Sequence, residues 1–130
     1  MDERMVTALR ERLPDLQAVY RYGSAGGIHA RPDSDIDLAI LAEHRLTLDE
    51  TVQLAADLSL LAGQDVDLHD LRVLPVTLRV QIVLDGVRLY AASAAAAEEY
   101  DSRTLSDYVR LNEERRGILE DIRARGRIHG

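Results

Sequence analysis

The sequence predicts a small α/β domain, and three observations lead there. Short apolar runs of strand length, at 16–22, 36–41 and 65–71, alternate with segments whose apolar residues recur at helical spacing. Turn formers punctuate the two kinds of segment: Pro14, the glycines of 23–27, Gly63, Pro75 and Asp85-Gly86. The 130 residues and 46% hydrophobic content suffice for one modest core.

In residues 2–13, Met5, Leu9 and Leu13 recur every four positions, which predicts a helix stopped by Pro14. Residues 16–22 read as the first strand, and 24–31 as a glycine-rich turn with a short helix. Residues 36–41 are apolar enough for a central strand. Thr47 and Glu50 have the spacing of a capping box, opening a helix over about 48–62 that is expected to set Val52, Ala55 and Leu58 on one face. Gly63 suits its C-cap. A third strand follows at 65–71. Pro75 then fits the first turn of a helix carrying Leu78, Ile82 and Val83, and Asp85-Gly86 turns the chain into a fourth strand at 87–90. Residues 91–97 are nearly all Ala, the best helix former, and open a long terminal helix reaching about Arg125. Leu105, Tyr108, Val109, Ile118, Leu119 and Ile122 give that helix an apolar stripe, suited either to its own sheet or to another protein. The expected division is a domain over 1–92 and a helical extension over 93–130.

Composition narrows the function. The formal net charge is −7, so affinity for nucleic acid, which rests on neutralising phosphates, is not expected. All 16 basic residues are Arg. With no Cys there is neither a disulfide nor a thiolate metal site. No apolar run approaches the ~20 residues of a membrane span, and Asp2, Glu3 and Arg4 break any signal-peptide start, so a cytoplasmic protein is expected.

The chemistry concentrates in one stretch. Gly23-Ser24 closes the first strand, and ten residues later Asp35-Ile36-Asp37 opens the second. Residues i and i+2 of a strand share a face, so Asp35 and Asp37 are expected to project together, roughly 7 Å apart. Two carboxylates held side by side repel each other unless a divalent cation sits between them, and hard oxygen ligands suit Mg²⁺. Gly23 allows close backbone approach, and the N–H groups after Ser24 can face a phosphate. Asp65, Asp67 and His69 share one face of the third strand, with Asp70 on the other. His29, His44, His69 and His129 make no metal-ligand spacing. Neither a P-loop nor a dinucleotide fingerprint is present.

The order strand, Gly-Ser, short helix, Asp-x-Asp strand resembles the DNA polymerase β-type nucleotidyltransferase superfamily. The ten-residue spacing, the run from Arg31 through Pro32, Asp33, Ser34, Asp35, Ile36 and Asp37 to Leu38, and the small size resemble its minimal nucleotidyltransferases of the MntA antitoxin type. Members often carry Ala, Arg and Gly where this chain has Gly26, Gly27 and Ile28, so an arginine is missing there. The resemblance implies a small mixed sheet with flanking helices and a long C-terminal helix. It implies that Gly23 and Ser24 hold the triphosphate of ATP, and that Asp35, Asp37 and Asp67 bind two Mg²⁺, with Asp67 also activating the acceptor. It further implies transfer of AMP to a tyrosine hydroxyl of a HEPN-type RNase toxin (HepT-like), which silences the toxin. Two other readings remain: a toxin-binding module without catalysis, and a nucleotidyltransferase acting on a small molecule such as an aminoglycoside.

Overall fold

The layering follows from the alternation of side chains along the strands. The computed structural model describes residues 1–23 and 36–129. Its elements run α1 (Asp2–Arg12), β1 (Leu16–Tyr22), β2 (Ile36–Ala42), α2 (Leu48–Ala62), β3 (Val66–Asp70), α3 (Val76–Asp85), β4 (Val87–Ala91) and α4 (Ala94–His129). The four strands form one sheet in the order β3-β2-β1-β4. β1 lies antiparallel to both β2 and β4, while β2 and β3 are parallel. The sheet is therefore mixed, with β1 and β2 central, as their apolar character requires. The turn and short helix expected over 24–31 lie outside the described residues.

Ile36, Leu38 and Ile40 of β2 join Val19, Val66 and Leu68 on one face, where Met5 and Leu9 of α1 and Leu54 and Leu58 of α2 cover them. Ala18, Tyr20, Ala39 and Leu41 point to the other face, against Leu71, Ile82 of α3 and Tyr100 of α4. The expected capping box is present: the Glu50 N–H donates to Thr47 Oγ1 at 3.1 Å, and the Thr47 N–H donates to Glu50 Oε1 at 3.0 Å. Gly63 closes α2 in the left-handed region at φ 72°. One expectation is corrected. Val52 does not face the core but is 58% exposed. It precedes Leu58 by six residues, about 600° of rotation and so about 120° off that face, whereas Leu54 and Leu58 are a true i,i+4 pair.

The parallel partner strand is clamped at both ends. The Val66 N–H donates to Ser59 Oγ of α2 at 2.9 Å. At the other end Asp70, 5% exposed, accepts from the Leu46 N–H and the Arg72 N–H, each at 2.9 Å. The first half of α4 covers the sheet, burying Ala97 and Thr104. The Tyr20 hydroxyl donates to Asp101 Oδ1 at 2.6 Å, and Arg88 Nη1 donates to Asp101 Oδ2 at 3.1 Å, tying α4 to β1 and β4 together. Burial, then the Asp101 carboxylate, pushes the Tyr20 hydroxyl well above its ordinary pKa, so it stays a donor. Residues 113–126 are exposed, including Ile118, Leu119 and Ile122, and so is Val109 before them. The helix thus serves its own sheet with its first half and leaves the later part of its stripe open. Among the described residues no helix is long and apolar enough to cross a membrane.

Asp101 is the joint of this arrangement. In Asp101→Ala the Tyr20 hydroxyl, in a residue only 2% exposed, loses its acceptor. Urea unfolding should show a loss of about 1–3 kcal/mol, partly recovered when Tyr20→Phe is added. A loss below about 0.5 kcal/mol, the size of an ordinary surface change, would contradict the role.

Candidate active site

Three strands meet at one end of the sheet: β1 finishes there, and β2 and β3 begin there. The register pairs Tyr22 with Asp37 across β1 and β2, and Asp37 with Asp67 across β2 and β3. Paired residues of neighbouring strands point to the same face. Tyr22, Asp37, Asp67 and His69 therefore share the face that carries Tyr20, Ala39 and Leu71. Asp67 is exposed and Asp37 partly buried.

Gly23 follows directly, with φ 94°. A Cβ at this position would collide with Asp37 Oδ2. The glycine thus does two things: it takes a backbone conformation that side chains disfavour, and it leaves the space the Asp37 carboxylate fills. The Tyr22 ring stands 6.3 Å from that of His69, tilted by 56°. Burial, with the charges of Asp37 and Asp67 added, pushes the Tyr22 hydroxyl up to about 12. Tyr22 is the site residue that sequence reasoning missed. Parity puts it on the face of Tyr20 along β1, but its place beside the acids comes from pairing with β2, which the sequence does not show.

The other candidates fall as follows. Ser24 and Asp35 lie outside the described residues, as do His29, Arg31 and the Gly26-Gly27-Ile28 departure. Asp65 is exposed just before β3, and its carbonyl accepts from the Ile36 N–H at 3.0 Å, which pins the β2–β3 register. Asp70 is on the opposite face, committed to the backbone of Leu46 and Arg72. His44 is engaged by Asp15 and Glu50 near the start of α2.

Asp37 and Asp67 suit a hard divalent cation. Like charges directly opposite each other in a sheet are destabilising, and both donors are carboxylate oxygens, the ligand type Mg²⁺ prefers. Among the described residues no three His, Asp or Glu side chains converge as a complete metal set. Asp35, two residues before Asp37, lies outside them.

Two glycines separate the backbone effect from the collision. Gly63, at φ 72°, has nothing within 4 Å of an added Cβ. Gly63→Ala should cost only the left-handed backbone penalty, about 1–2 kcal/mol. Gly23→Ala should cost clearly more, because the Asp37 carboxylate must also move. Equal losses in urea unfolding would show that the Gly23–Asp37 contact is not structural.

Comparison with known proteins agrees with this geometry. The family described as polymerase beta nucleotidyltransferase matches residues 4–95. The protein adenylyltransferase MntA of Shewanella oneidensis is 33% identical over 123 residues, covering 95% of this chain and 88% of MntA. A solved toxin–antitoxin structure with AMP-PNP superposes with a TM-score of 0.82 at 33% identity, covering 93% of this chain and 97% of its counterpart. A tri-AMPylated Shewanella oneidensis HEPN toxin in complex with its MNT antitoxin supplies another match, with a TM-score of 0.78, 33% identity and coverage of 93% and 94%. With the family match spanning most of the chain and the carboxylates paired at the strand ends, this protein belongs to the polymerase β nucleotidyltransferase family.

Proposed function

We propose that this chain is a protein adenylyltransferase that transfers AMP from ATP to a tyrosine hydroxyl of a HEPN-type toxin and thereby neutralises it. The observation that carries this reading is the likeness over 95% of the chain to an adenylyltransferase, with Asp37 and Asp67 opposed in register at the site. The likeness to a complex holding an AMPylated HEPN toxin supports the acceptor class.

In the proposed chemistry the tyrosine oxygen attacks the α-phosphorus of ATP. A P–O bond forms, the bond to the bridging oxygen breaks, and pyrophosphate leaves. Asp67 takes the hydroxyl proton. Gly23 and Ser24 hold the triphosphate through backbone N–H groups and the Ser24 hydroxyl. Asp35, Asp37 and Asp67 would hold two Mg²⁺. When bound, such a pair neutralises the phosphate oxygens and steadies the attacking and leaving groups. Tyr22, with its hydroxyl protonated at neutral pH, borders the acids without adding charge.

Residues 1–92 form the nucleotidyltransferase domain, and 93–130 form the extension whose first half also packs on the sheet. The exposed Ile118, Leu119 and Ile122, which fall on one side of the helix, offer the toxin an apolar docking patch. The use of ATP as substrate fits action in the cytoplasm.

The test is intact-mass spectrometry of the cognate HEPN toxin after incubation with this protein, ATP and Mg²⁺. Added AMP units are expected with the wild type. Asp35→Asn/Asp37→Asn should reduce transfer at least about a thousandfold, the scale expected when charge stabilisation at a transition state is removed, while pull-down of the toxin persists. Growth protection by the double variant, with the toxin unmodified, would instead establish neutralisation by contact.

A further inference from the structure

The acid end of the sheet has a counterpart of different chemistry at the other end. On the same sheet face, where α3 and α4 part from the strands, lies a cavity of about 420 Å³. Leu41 and Leu71 give it an apolar floor, Arg72 and Arg79 approach from the turn and α3, and Tyr100 and Arg103 from α4. Leu41 is four residues along β2 from Asp37, about 13 Å at the rise of a strand, so the cavity is separate from the acids.

Two of its polar atoms are unsatisfied. Arg79 Nε and the Tyr100 hydroxyl are closed to solvent, with no hydrogen-bond partner among the described residues. Burial pushes the Tyr100 phenol up while Thr104 and Arg79 beside it act the other way, which places the three side chains together. A buried donor without an acceptor is a standing cost that a bound acceptor removes. The acids around the cavity do not remove it. Asp107 stands 3.9 Å from Arg79 Nη1, a loose pair that leaves Nε untouched, and Glu99 is taken by Arg103 at 2.6 Å. Arg72 spends its Nε on the Ala42 carbonyl at 2.7 Å. Three guanidinium groups thus face two carboxylates, a local positive excess in a chain whose net charge is −7.

We propose that this cavity binds a small molecule bearing a phosphate or carboxylate group. The Arg79 and Tyr100 side chains, whose Nε and hydroxyl are closed to solvent in the free chain, turn to hold the oxyanion, Arg72 and Arg103 flank it, and the apolar part of the ligand rests on Leu41 and Leu71. The planar guanidinium fork matches both oxyanions, and a phenol adds a directed donor. The cavity is several times larger than a bare oxyanion, which leaves room for the rest of the ligand. A ligand there would brace α3 and α4 on the sheet.

The test is calorimetric titration of the full chain with inorganic phosphate and, separately, with acetate, in chelator, against sodium chloride at matched ionic strength. Saturable binding of either anion is expected, and the one that binds identifies the head group. Arg79→Gln should weaken it about tenfold or more and Tyr100→Phe several-fold, as for lost charged and neutral hydrogen bonds. Arg103→Gln alters a side chain that is 69% exposed, so it keeps the fold and should also weaken binding. Asp37→Asn should bind as the wild type does. Absence of saturable binding by both anions would overturn the proposal. So would binding that survives both Arg79→Gln and Arg103→Gln, whether or not Asp37→Asn abolishes it.

Discussion

In-register parallel pairing of β2 with β3 sets Asp37 directly opposite Asp67. That opposition works against the free protein, because like charges facing each other across a sheet repel. The fold accepts it because the same two strands bury Ile36, Leu38, Ile40, Val66 and Leu68 on their other face. Hydrophobic burial is worth roughly 1.5–3 kcal/mol for a fully buried aliphatic side chain, and a cross-strand pair only about 0.2–1 kcal/mol. The apolar face therefore dictates the register, and the polar face bears the strain.

The supporting bonds explain why that register cannot slip. A shift of one residue would send Asp67 to the α2 side and Val66 to solvent. Ser59 holds the start of β3, Asp70 anchors its end, and the Asp65 carbonyl receives the first N–H of β2. β1 contributes on the opposite side, ending in Tyr22 against Asp37 and in a glycine whose missing Cβ admits the Asp37 carboxylate. The cavity at the other end has a different origin. It opens because α4, fastened through Asp101 to Tyr20 and Arg88, packs on β1 and β4 and leaves the ends of β2 and β3 less covered.

Local signals were legible in the sequence, and pairings were not. Thr47 and Glu50 announce a helix start and Gly63 its end, because caps depend on residues a few positions apart. Asp37 and Asp67 could be singled out by their setting and by family resemblance, and alternation along the third strand already separated Asp67 from Asp70. Their adjacency could not be read, since it comes from a parallel pairing thirty residues apart in the chain. Tyr22 escaped notice for the same reason: its place beside the acids depends on antiparallel register with β2. Val52 departs from the expected face because six residues separate it from Leu58, whereas Leu54 and Leu58 stand in i,i+4 relation on the inward side. The two unsatisfied atoms of Arg79 and Tyr100 belong to helices brought together only in the folded chain.

The central claim is that the β2–β3 register builds one cation site from Asp37 and Asp67. The most direct measurement is an anomalous difference map from crystals grown with Mn²⁺ and a non-hydrolysable ATP analogue. The account requires a metal peak with carboxylate oxygens of both residues among its ligands. A peak held by Asp37 while the Asp67 carboxylate points to solvent, or metal bound elsewhere on the chain, would contradict it.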